Sequence, residues 1–124
     1  MEKLFAFHFN DDEQRKLRQI AATLKIRCVF IEESQFLQPI ENLISGQPSP
    51  LAPPFTGEVP PENLLLLCDF TDKRMDKLLL ALRKSTLTVD YKAVLTPTNQ
   101  KWNVLRLMLE MRAEKAAYEK RGLL

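Results

Sequence analysis

Two sets of residues in this chain have the types and placement that chemistry requires. In the first, Asp11 and Asp12 stand side by side in "FNDDEQ", Asp69 closes the run "LLLLCDF", and Thr96 opens the corner "LTPTNQKW". Carboxylates gathered at one point hold a hard cation such as Mg2+ through oxygen. A threonine hydroxyl beside them could touch an anionic group. The second set is the corner itself, where Thr96, Thr98 and Asn99 lead into a helical pattern and the one tryptophan, Trp102, follows. Free N–H groups at a helix start hold an anion or a carboxylate, and an indole ring gives that ligand a flat apolar platform. Each set also has a plainer explanation. Acids at 11 and 12 suit the positive end of a helix, and Asp69 caps the turn that follows it. Pro97 ends a strand, Thr98 or Asn99 caps the last helix, and Trp102 is a packing anchor.

Composition closes other routes. Glycine occurs three times, at 46, 57 and 122, so there is neither a dinucleotide fingerprint nor a P-loop. The one histidine, His8, has no Ser or Cys motif to serve, and with Cys28 and Cys68 it gives no metal-ligand spacing. Both cysteines lie in apolar strand-like runs and read as buried, reduced thiols. Eighteen bases against sixteen acids leave a net charge of +2, too even to make the concentrated basic face that nucleic acid requires. The apolar run in "MEKLFAFHF" is short and broken by His8, so it is neither a signal peptide nor a membrane span. A cytoplasmic protein with no membrane partner is expected. With 45% apolar and 27% charged residues, 124 residues suffice for one domain, 1–124, with its own core.

The elements that must position these residues alternate. Strand patterns fall at about 3–9, 25–31, 63–70 and 88–95, each followed by a helical pattern. Asn10 with Glu13 three residues later forms a capping box before the first helix. Pro39 is tolerated only in the first turn of the second, which therefore begins late and ends at Ser45-Gly46. Six of the eight prolines fall at about 46–62, which reads as an irregular loop. Thr71 or Asp72 caps the third helix, and Gly122 stops the fourth, which runs from about Asn99 to Arg121. Strand-helix repeated four times implies a three-layer α/β domain with a mainly parallel four-stranded sheet, in the order 2-1-3-4. "NLLLLCDF" reads as a strand buried on both faces, in keeping with parallel pairing. In such a sheet the loops after the strand C-termini share one edge, where ligands bind. Asp11, Asp12, Asp69 and Thr96 are expected to meet there.

That grouping resembles the receiver site of bacterial response regulators. The resemblance implies that Asp11 and Asp12 hold Mg2+, that Asp69 accepts a phosphoryl group and that Thr96 contacts it. The receiver has a fifth strand carrying a Lys, whereas four strands are read here. "VLTPTNQKW", preceded by "LLLLCDF" and "DKLLLALRKS", is similar to a small bacterial family of unknown function marked by a Leu-Thr-Pro-Thr-Asn box and a following Trp. That likeness covers the C-terminal half and carries no activity with it.

The last helix has two apolar stripes at 100° per residue. Val104, Leu107, Met108, Met111 and Tyr118 form one. Trp102, Leu105, Leu109, Ala113 and Ala116 form the other, on nearly the opposite side. One stripe suffices to lie on a sheet. The second is expected to cover a neighbouring element or another subunit, as in a homodimer. With no complete catalytic set, a binding or self-association role through this helix is expected ahead of an enzymatic one, with no cofactor. The receiver-like, metal- or phosphate-responsive domain is the alternative.

Overall fold

A computed structural model describes residues 1–120, and the expected stop at Gly122 lies outside them. The chain forms two compact units, Met1–Glu32 with Pro61–Leu95, and Glu33–Pro60 with the chain from Thr96 onward.

The first unit is an α/β sheet with its helices. It holds β1 (Lys3–Phe7), α1 (Asp11–Leu24), β2 (Arg27–Ile31), β3 (Leu64–Cys68), α3 (Asp72–Lys84) and β4 (Tyr91–Val94). The second unit contains α2 (Ile40–Ser45) and α4 (Val104–Lys120). The sheet order is β2-β1-β3-β4, as the strand patterns predict. Period-2 alternation divides the strands between two faces. Leu4 and Ala6 of β1 and Leu65 and Leu67 of β3 form a core with Leu17 and Ala21 of α1 and Leu78 and Leu82 of α3. Phe5, Phe7, Leu64 and Leu66, the alternate residues, are buried as well.

The sheet is mixed. β1 pairs in parallel with β2 and β3 with β4, but the central pair, β1 with β3, is antiparallel. Phe7 is the register partner of both Ile31 and Leu64. The chain therefore leaves the sheet after β2 and returns at β3 beside the same residue, and no crossover is needed between them. An uninterrupted apolar strand reports burial on both faces and leaves its direction open. Here β3 is buried throughout because it is central, with one parallel and one antiparallel neighbour.

Local signals place the element ends. The Asn10 side chain accepts from the Glu13 N–H at 2.8 Å while Glu13 accepts from the Asn10 N–H at 2.9 Å, closing the capping box. Thr71 accepts from the Arg74 N–H and caps α3. Arg74 Nε donates to Glu2 at 2.9 Å, and its guanidinium also donates to the Leu24 carbonyl, so α3 holds the start of β1 and the end of α1. Pro39 precedes α2, and Gly46 ends it with φ 74, a left-handed conformation that glycine adopts without steric cost.

The proline-rich loop is pinned within the second unit. Gln38 accepts from the Ser49 N–H at 2.7 Å and donates to the Ser49 carbonyl at 3.1 Å, so its amide stands in for a strand neighbour. The Phe55 N–H donates to the Ser34 carbonyl at 2.9 Å. Among the described residues no helix is long and apolar enough to cross a membrane.

Candidate functional site

The corner begins with a reciprocal pair. The Thr96 N–H donates to Asn99 Oδ1 at 2.8 Å, and the Asn99 N–H donates to Thr96 Oγ1 at 3.0 Å. Asn99 is buried, and Asn99–Lys101 form a single 3-10 turn. The N–H groups of Gln100, Lys101 and Trp102 donate to the carbonyls of Thr96, Thr98 and Asn99. Five donors of the corner thus already have acceptors inside it, and an anion there would have to displace them. The Thr98 side chain caps nothing.

Trp102 ends the turn in an extended conformation instead of starting the helix. Its carbonyl accepts from the Ile40 N–H at 2.8 Å, and Asn103 bridges Pro39, so the backbone is held by α2 where the sequence predicts a first helical turn. α4 therefore starts at Val104, and its cap is Asn103, which accepts from the Arg106 N–H at 2.9 Å, in place of the expected Thr98 or Asn99. The Arg106 guanidinium lies 4.5 Å from the centre of the half-buried Trp102 ring, a cation–π contact. Lys101 pairs with Glu41 of α2 at 3.1 Å.

The two stripes of α4 have different fates. On the first, Val104, Leu107 and Met108 are buried. On the second, Leu105 is half-buried, Leu109 is 54% exposed, and Ala113 and Ala116 are exposed. From Arg112 to Lys120 every residue is exposed, including Tyr118 of the first stripe. Half of the helix is exposed, and the second apolar stripe runs the length of it.

The three aspartates are not brought together. Asp11 and Asp12 follow β1, whose last residue pairs with the first of β3, whereas Asp69 follows β3, whose last residue pairs with the first of β1. The antiparallel centre sends the acidic pair and Asp69 to opposite edges of the sheet, which overturns the expectation of one shared edge. Asp12 pairs instead with Arg15 and Lys16 on its own helix, at 3.1 and 3.2 Å. Among the described residues no group of three or more His, Cys, Asp or Glu is placed to hold a metal ion.

One polar cluster was invisible in the sequence. His8, in a left-handed conformation at the end of β1, bonds through Nδ1 to the Glu62 carbonyl, and the Tyr91 hydroxyl donates to Glu62 Oε2 at 2.8 Å. Beside it, the Asn63 N–H donates to Asp90 while the Asp90 N–H donates to Asn63 Oδ1 at 2.7 Å. These residues lie 54, 29 and 27 positions apart, and no local spacing signals such contacts. They hold the starts of β3 and β4 together.

The thiols are electrostatically quiet. Burial pushes Cys28 up to about 12, with the Arg18 charge pulling the other way. Burial, then the Asp69 carboxylate, push Cys68 up to about 11 against the pull of Lys3. Neither is a nucleophile at neutral pH.

Residues 63–118 match a family described as a domain of unknown function, DUF3783. The matched segment runs from the residue before β3 into α4 and includes the corner. No curated protein and no solved structure matches the chain.

Proposed function

We propose that this protein is a non-catalytic association module whose contact surface is α4 and whose partner is a second copy of the same chain. One observation carries the reading: Leu109, Ala113 and Ala116 of the second stripe are exposed, on a helix that is exposed at every described residue from Arg112 onward. Small residues let two helices approach closely, and Ala113 and Ala116 lie in the uncovered half. An apolar stripe along one helix face can pair with the same stripe of a second copy across a two-fold axis. Two unpaired thiols in apolar surroundings support a reducing, cytoplasmic setting.

Sedimentation at micromolar to millimolar concentration tests this. The expected result is a dimer that Leu109→Glu converts to a folded monomer, whose thermal midpoint equals that of the wild type diluted to monomer, since Leu109 is exposed within one chain. A wild-type chain that stays monomeric throughout, or a dimer indifferent to Leu109→Glu and Ala113→Glu, defeats it.

A further inference from the structure

Beside α3 and β4 lies an open groove lined by Leu79, Leu82, Leu87 and Val89, together with Arg83 and Lys92. Both cations are exposed, and neither has an ion-pair partner among the described residues. β4 is the outermost strand of the sheet. The N–H groups of Tyr91 and Leu95 donate to the carbonyls of Asn63, just before β3, and Leu67 of β3, at 3.1 and 3.0 Å. Strand alternation therefore turns the N–H and C=O of Lys92 outward, where they form one open rung of the ladder. The Lys92 side chain lies on the same face as Leu65 and Leu67, its register neighbourhood on β3, and so stands on the α3 side of the sheet.

We propose that this edge takes an extended acidic segment of a partner protein as a fifth strand. Its backbone pairs with Lys92, an Asp or Glu opposite Lys92 supplies the cross-strand charge, and an apolar side chain on the same face covers Leu79 and Val89. The charge pattern selects the occupant. A second copy of β4 in symmetric pairing would bring the two Lys92 side chains together, and like charges opposite one another destabilise a pair. A lysine on an edge strand also guards it against unintended pairing, and an acidic strand is the one that turns this guard into an attraction. Strand addition of this kind draws affinity from main-chain bonds and specificity from alternate side chains.

The probe is a capped peptide of sequence Thr-Asp-Thr-Val-Thr-Asp-Thr-Val, whose Asp and Val side chains share one face of an extended strand, set against the same peptide with Lys in place of Asp, in an amide NMR titration of the full chain. The acidic peptide is expected to shift Lys92, Val94, Leu79 and Arg83, and the basic peptide is expected to shift none of them. Lys92→Gln should weaken the acidic peptide by up to about fivefold, the range of one cross-strand ion pair, and Lys92→Glu should reverse the preference. Lys92 is exposed, so both variants are expected to keep the wild-type spectrum elsewhere. Equal shifts from both peptides, or none from either at millimolar concentration, overturn the proposal.

Discussion

Asn99 and Thr96 hold each other by two hydrogen bonds, and their backbones are where β4 gives way to the second unit. Asn99 is buried but Thr96 is exposed, so removing the Asn99 side chain loses a half-buried bond to the Thr96 N–H, worth about 0.5–1.5 kcal/mol. Asn99→Ala should lower stability by about that amount in urea unfolding, and Thr96→Val by about 1 kcal/mol for the lost cap-like bond. Thr98→Ala should change it by less than about 0.5 kcal/mol, because that exposed side chain caps nothing. Equal losses at Thr98 and Asn99 would contradict the assignment. At this scale the sequence was legible where partners are three residues apart. The Asn10–Glu13 box and the Thr71 cap are readable from spacing alone. The same reasoning misplaced the cap of α4, because Asn103 becomes the cap only once α2 has claimed the backbone at Trp102 and Asn103, and that pairing spans more than sixty positions.

α4 shows what an element's pattern can and cannot reveal. The double stripe was visible, and the buried set Val104, Leu107 and Met108 belongs to the one assigned to packing. The pattern could not say that cover stops at Met111, because the extent of a neighbouring surface is not written in the helix that lies on it. A helical stretch of nine exposed residues gains little from packing and is marginal in water, since nucleation is costly and few bonds repay it. Amide hydrogen exchange should therefore report the pairing of α4 directly. Protection at 112–120 is expected to rise with protein concentration and to fall in Leu109→Glu, while that at Leu107 and Met108 stays constant. Protection independent of both concentration and the substitution would mean that the half-helix is stable alone, and the case for a partner copy would lose its physical ground.

For the molecule as a whole, strand order was legible and strand direction was not. "LLLLC" states that β3 is central, and only the register of Phe7 with Ile31 and Leu64 shows that it runs against β1. That single reversal separates Asp69 from Asp11 and Asp12, so a site drawn from correct elements in the correct order was still drawn on the wrong edge. The reversal also leaves Cys68 beside the β1 start, where its register partner is Lys3 and its neighbour Asp69 has a left-handed backbone. The consequence for the fold is measurable at alkaline pH. In the unfolded chain both thiols ionise near 9, whereas in the folded chain they keep their protons to about 11 and about 12. Between those values the unfolded state binds fewer protons, so stability falls as pH rises. Below pH 8 both states carry neutral thiols, and the groups are indifferent. The informative quantity is the difference between the wild type and Cys68→Ala, which isolates this thiol. That difference should be flat from pH 6 to about 8, then shrink steadily toward pH 11 as the wild type loses the advantage of its packed thiol. A constant offset across the whole range would mean that Cys68 ionises as readily in the folded sheet as in the open chain, and burial would then not govern its chemistry.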